Sequence, residues 1–201
     1  MDTHIVSPGK EAYRQAAEIL KSGGLVAFPT ETVYGLGANA LDAQAVLSIF
    51  AAKERPADNP LIVHVHDRDQ LPAFCTVSAP AERLMDAFWP GPLTMLFEKK
   101  ESIPPEVTAG LPTVAVRMPS HPVAYAMLKE CGLPVAAPSA NRSGRPSPTS
   151  AKHVMEDMQG RIPLILDGGS CDVGLESTVL DLCHGQPTIL RPGGITREML
   201  E

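Results

Sequence analysis

Six cations of this chain stand at predicted joints between elements, where they could hold an anion. Lys53, Arg55, Arg117, Arg142, Arg145 and Arg191 each lie within a few residues of Pro, Gly or Ser and beside a predicted strand end. Solvated surface charge would fall on helix faces instead, as Lys21, Arg83, Lys129 and Lys152 do in the predicted helices. The whole chain is acidic, with 17 Lys+Arg against 23 Asp+Glu and a net charge of −6. A broad basic nucleic-acid footprint is therefore not expected. Cations gathered on loops of an acidic chain read as a local anion site, ahead of the plainer reading of a surface scatter.

The segments that carry them differ in what they imply. In Lys53-Glu54-Arg55-Pro56-Ala57-Asp58-Asn59-Pro60 the helix macrodipole alone favours a cation or two at a helix end. It does not explain the proline-stiffened loop that leads Asn59 into an apolar strand, and Arg55 and Asn59 are donors suited to phosphate oxygens. Arg117 closes the apolar run Val114-Ala115-Val116, where a guanidinium must be ion-paired or bind an anion, two readings of equal weight from the residues alone. Pro134 to Ser147 runs from a strand into a loop dense in Ser, Asn and Arg, small enough for backbone N–H groups and hydroxyls to approach phosphates. Glu176-Ser177-Thr178 and Arg191-Pro192-Gly193-Gly194 again put Ser and Arg at strand ends.

Two further segments are ambiguous. Pro29-Thr30-Glu31-Thr32-Val33-Tyr34-Gly35-Leu36-Gly37 offers two hydroxyls, a carboxylate and a glycine pair. Gly35-x-Gly37-x-x-Ala40 resembles a relaxed dinucleotide fingerprint, but five residues separate Gly35 from the strand end at Pro29, where that motif needs a tight strand–turn–helix. A turn, or a loop lining a polar substrate, fits better. His64 and His66 are expected on one face of a strand. Without a Cys or carboxylate at ligand spacing, a hydrogen bond to substrate is preferred over a metal pair.

The elements that must position these residues alternate. Helices are expected from Ser7-Pro8 to Leu20, over Asp42–Lys53, Ala79–Phe88, Val123–Cys131 and Ala151–Met158. Strands are expected over 25–28, 61–65, 93–97, 114–118, 135–137, 164–166, 178–182 and 188–191, with a glycine-rich loop between Pro29 and Asp42. This pattern predicts a layered α/β domain with a mixed sheet. Thr196 to Glu201 reads as the opening turn of a further helix. The many prolines imply stiff loops. No apolar stretch reaches membrane-spanning length and no export signal opens the chain, so a cytoplasmic place is expected. Cys75, Cys131, Cys171 and Cys183 form no CxxC pair, which fits reduced thiols.

Taken in order, PTETVYGLGANA, KERPADNPLIVHV, WPGPLT, TVAVRMPSHP, PVAAPSANRSGRPSPT, GLESTVLDL and ILRPGG resemble the threonylcarbamoyl-AMP synthase (YrdC-like) family from about Leu25 to Gly194. The NPLIVHV form is similar to the longer, two-domain members, so residues 1–201 are expected to be one catalytic domain without their C-terminal domain. The resemblance implies a twisted mixed sheet with flanking helices around a deep, positively charged cavity. It further implies that Thr32, His64, Arg117, Ala137 and Ser177 surround L-threonine, with Arg117 on its carboxylate. Arg55, Asn59, Thr113, Ser139, Ser147 and Arg191 would hold ATP, and Lys53 and Arg55 would supply catalytic charge near the phosphates.

The implied reaction joins L-threonine, bicarbonate or CO2, and ATP, with Mg2+ accompanying the nucleotide, and serves threonylcarbamoyl modification of tRNA. Such adenylyl transfer needs positioning and charge neutralisation more than a covalent nucleophile. The absence of a G-x-x-x-x-G-K-[ST] segment sets aside a P-loop NTPase. Two rivals stay open at this level: an RNA- or tRNA-gripping module of the same fold, and a transferase using carbamoyl-adenylate.

Overall fold

The computed structural model describes residues 1–201. The chain opens with β1 (His4–Val6), α1 (Lys10–Lys21), β2 (Val26–Pro29), β3 (Tyr34–Asn39) and α2 (Ala43–Lys53). It continues through β4 (Ile62–His64), β5 (Cys75–Thr76), α3 (Ala79–Phe88), β6 (Leu93–Lys99), α4 (Pro105–Thr108) and β7 (Thr113–Arg117). The remainder is α5 (Pro122–Cys131), β8 (Val135–Ala136), α6 (Ala151–Met158), β9 (Leu164–Leu166), β10 (Thr178–Asp181), β11 (Thr188–Arg191) and α7 (Arg197–Leu200).

Eleven strands form one mixed sheet in the order β1-β9-β2-β3-β8-β4-β7-β6-β10-β11, with β5 paired to β6. Period-two alternation assigns successive side chains to opposite faces. Val26 and Phe28 of β2 and Leu164 and Leu166 of β9 join a core under α1 and α5, while Ala27 and Ile165 join the larger core on the other side. Helices therefore cover both faces, as expected from the alternating pattern. None of them is long and apolar enough to cross a membrane.

Helix starts follow their caps. Asp42 accepts from Gln44 and Ala45 N–H, Ser78 from Ala81 and Ser150 from His153, each satisfying donors that a first turn leaves unpaired. α1 corrects the expected start at Ser7-Pro8. The chain leaving β1 turns through those two residues, and the helix opens at Lys10 with Gly9 as its cap.

The predicted glycine-rich loop is in large part a strand. β3 pairs antiparallel with β2 from Val26↔Gly37 to Pro29↔Tyr34, so only Thr30 to Val33 form the turn. The two glycines are the condition for this pairing. A Cβ on Gly37 would lie 2.8 Å from Val135 Cγ1 and 2.9 Å from Phe28 Cε1, and one on Gly35 would lie 3.3 Å from Ala137 Cβ.

Candidate functional site

Register brings the polar strand ends together. β4 and β7 run parallel with His64 opposite Arg117, and β8 lies antiparallel on the other side of β4, leading into the loop from Ala137 to Ser147. An isolated bridge between Gly35 and Ser139 ties that loop to β3. Between these strand ends and β10–β11 lies a cavity of about 620 Å³, within the range of small-molecule sites.

Its closed end is built around Arg117. The side chain is only 4% exposed and all three guanidinium nitrogens are engaged. Nε donates to Gly91 O at 3.2 Å, Nη1 donates to Thr32 Oγ1 at 3.0 Å, and Nη2 is ion-paired with Glu31. Burial, together with repulsion from Arg191, lowers the Arg117 pKa to about 9. His64 is buried beside it, with Nδ1 3.1 Å from Ile62 O and its ring edge-on to Phe28. Burial holds its pKa down to about 4, so the imidazole is neutral at pH 7. Ser177 Oγ shares a hydrogen bond of 2.7 Å with Thr94 Oγ1, and Ala137 supplies a small apolar wall.

The more open end carries Arg55, Asn59, Thr113, Ser139 and Arg191. Arg191 donates through Nε to Ser177 O at 3.0 Å, through Nη2 to Ser177 Oγ at 3.1 Å, and through Nη1 to Glu176 at 2.9 Å. Arg55 has no carboxylate partner; its guanidinium rests 5.8 Å from the centre of the Phe50 ring. The side chains of Asn59, Thr113 and Ser139 line the cavity without an internal hydrogen bond, which leaves their donors and acceptors free. The lining differs from a uniformly positive one. Arg117 and Arg191 already hold Glu31 and Glu176, so the uncompensated cation of the wall is Arg55.

Two residues expected at the nucleotide stand elsewhere. Lys53 does not line the cavity. It is 2% exposed, and its ammonium donates to the carbonyls of Ser139 and of Asn141, the latter at 2.7 Å. Burial first, and Arg55 second, lower its pKa to about 8. Its place is behind the Ser139–Asn141 loop, which it fastens to the end of α2. Ser147 likewise lies outside the lining and donates to Glu176 at 3.2 Å. Of the six loop cations only Arg55, Arg117 and Arg191 face the cavity. Arg145 pairs with Asp157 at 2.6 Å and the Arg142 backbone N–H donates to the same carboxylate, so both pin the loop to α6.

His66 also departs from expectation. β4 ends at His64, so the shared face ends there. The His66 N–H donates to Gln70 at 2.9 Å and its ring meets Tyr125. Missed in turn were the apolar walls Leu96, Ala115, Val179 and Leu190, whose alternation reads simply as core, and the partner of Arg117, Glu31. The one available signal for Glu31 was a carboxylate set between two threonines at a strand end.

Fold and cavity define an α/β domain with one cavity between strand ends, a buried arginine on its wall at one end and loop donors at the other. The chain belongs to the Sua5/YciO/YrdC family, whose model, described as telomere recombination, matches residues 18–193. It is 57% identical over 190 residues to the threonylcarbamoyl-AMP synthase of Bacillus subtilis (strain 168), covering 93% of this chain and 55% of that protein. It is 32% identical over 178 residues to the threonylcarbamoyl-AMP synthase of Cellvibrio japonicus (strain Ueda107), covering 88% of this chain and 93% of that one. The crystal structure of Pyrococcus abyssi Sua5 complexed with L-threonine superimposes with a TM-score of 0.94 at 52% identity, covering 98% of this chain and 59% of that chain. The chain thus spans little more than half the length of the Bacillus subtilis synthase and of that of Pyrococcus abyssi.

Proposed function

We propose that this chain joins L-threonine, CO2 or bicarbonate, and ATP into threonylcarbamoyl-adenylate, releasing pyrophosphate, for the threonylcarbamoyl modification of adenosine in tRNA. The observation that carries the reading is one cavity holding both ends. Thr32, His64, Arg117, Ala137 and Ser177 stand at the closed end, and Arg55, Asn59, Thr113, Ser139 and Arg191 at the other. The family's synthases and the relative crystallised with L-threonine support the same assignment.

In this reading Arg117 takes the threonine carboxylate, which leaves the amine directed toward the nucleotide. The amine nitrogen bonds to the carbon of CO2 and loses a proton, giving a carbamate. A carbamate oxygen then bonds to the α-phosphorus while the bond to the bridging oxygen of the β-phosphate breaks, and pyrophosphate leaves with that electron pair. Arg55, Asn59 and Ser139 place the phosphates for in-line attack, and fixed donors at the developing charge lower the barrier more than flexible water does. Lys53 acts on this end through the loop it fastens. Ser147 acts through Glu176.

Mg2+ fits as a companion of the nucleotide. The lining's one carboxylate, Glu176, is taken by Arg191 at 2.9 Å and by Ser147 at 3.2 Å, so the wall offers no ligand set of its own. Held through phosphate oxygens and water, as this hard cation commonly is, the ion would supply charge neutralisation at the phosphates. A cytosolic place, where tRNA and ATP are found, belongs to the same proposal. Labelled bicarbonate should enter an adenylate only when threonine and MgATP are both present; label in an adenylate without threonine would overturn the reading.

A further inference from the structure

Glu31 is the one buried carboxylate beside the cavity that the proposed reaction leaves without a task. It sits in the Thr30–Val33 turn, with its side chain 11% exposed. The turn does not need it. Thr30 Oγ1 accepts from Thr32 N–H and Val33 N–H, each at 3.2 Å, and donates to Val33 O at 2.6 Å, so the local bonding is complete without the carboxylate. Stability alone is a weak reason for it as well, because a buried ion pair is often no more stabilising than apolar residues of the same volume.

The placement of Glu31 is specific. Oε1 pairs with Arg117 Nη2, and Oε2 accepts from both the backbone N–H, at 2.6 Å, and the hydroxyl of Ser120. Its own carbonyl accepts from Val173 N–H at 3.0 Å. Thr30, Thr32 and Arg117 line the cavity whereas Glu31 does not, so it reaches the guanidinium from the protein side and leaves the cavity face clear. A guanidinium carries five N–H donors. Gly91 and Thr32 take one each, from Nε and Nη1, and Nη2 is buried against Glu31, so the donor left over for the cavity is the second one on Nη1.

We propose that Glu31 is a positioning residue, which holds the Arg117 guanidinium from behind so that its cavity edge, with the remaining Nη1 donor, serves a substrate carboxylate and makes the closed end selective for one. The inference rests on the reading of that end as the amino-acid site. Glutamine at this position has one acceptor oxygen instead of two, so it can serve Arg117 or Ser120 but not both, and its amide would face the other donor.

The test compares L-threonine with L-threonine amide, in which the carboxylate is replaced by a neutral group, by titration calorimetry on the 201-residue protein. The wild-type protein should prefer threonine, and Glu31→Gln should reduce that preference at least tenfold. A merely structural role would weaken both ligands alike, and an unchanged preference in a folded Glu31→Gln protein overturns the proposal. If the wild-type protein shows no preference, the amino-acid reading of the Arg117 end fails first, and the role of Glu31 fails with it. Should Glu31→Gln not fold, Ser120→Ala decides. It removes one of the two bonds on Oε2, and the preference should fall threefold or more; a wild-type preference there overturns the proposal too.

Discussion

Arg117 meets a cavity on one side and Glu31 on the other, so of the two readings its sequence left open the ion pair is present, and the cavity edge stays available for the anion of the proposed reaction. Arg117→Lys keeps the charge but has no planar fork to reach Gly91, Thr32 and Glu31 together. Threonine affinity should fall by about 1.5–3 kcal/mol, the range for hydrogen bonds to charged groups, and the ligand-free protein should also melt lower. Calorimetric titration and melting of the same variant check both, and intact threonine affinity would remove Arg117 from the site. His64 gives a pH signature. Its folded pKa of about 4 lies below its ordinary 6.5, so between those values the unfolded chain binds more protons. Stability present above pH 6.5 is therefore lost as the pH falls toward 4. Compared with wild type, His64→Asn should show a shallower loss over pH 6.5–4.5, by on the order of 1–3 kcal/mol; parallel curves for the two proteins would contradict the buried neutral imidazole. At this scale residue type pointed to Arg55, Asn59 and Arg117, which line the cavity. It did not show that Lys53 and Ser147 stand off its wall, because whether a donor faces the cavity or the back of its loop depends on packing between distant segments.

The loop from Ser139 to Asn141 shows the same dependence among elements. It carries Ser139 into the cavity, and it is fastened at its back by Lys53 from α2 and, further along, to α6 through Asp157. Lys53→Met keeps the stem but leaves the Ser139 and Asn141 carbonyls without that donor. A loss of about 1–3 kcal/mol is expected for unsatisfied buried groups, read from urea denaturation, and the KM for ATP should rise more than that for threonine. Wild-type stability together with a raised ATP KM would instead place the ammonium at the phosphates. Helices with a strong cap were legible almost to the residue, as the bounds of α3 and α6 show. β3 was not, because Gly35 and Gly37 read locally as a loop; only the approach of Phe28, Val135 and Ala137 gives them their reason. β1, β5 and α4 span three, two and four residues, too short for any periodicity to show.

On the scale of the whole molecule, the mixed sheet with helices on both faces followed from the alternation of elements, while strand order did not. That order sets β4 between β7 and β8 and so makes one cavity of segments more than a hundred residues apart in the chain, such as Thr32 and Ser177. The net charge is −6, and three of the loop cations, Arg55, Arg117 and Arg191, are turned inward to the cavity. In the proposed reaction this cavity joins an amino acid to ATP and chooses threonine, whose extra methyl in a pocket is worth roughly 1–3 kcal/mol over serine. The most direct measurement is pyrophosphate release from MgATP and bicarbonate with threonine, with serine, and with no amino acid. Release should depend on threonine, be weaker with serine at equal concentration, and be absent without an amino acid; equal release in all three would contradict the proposed reaction.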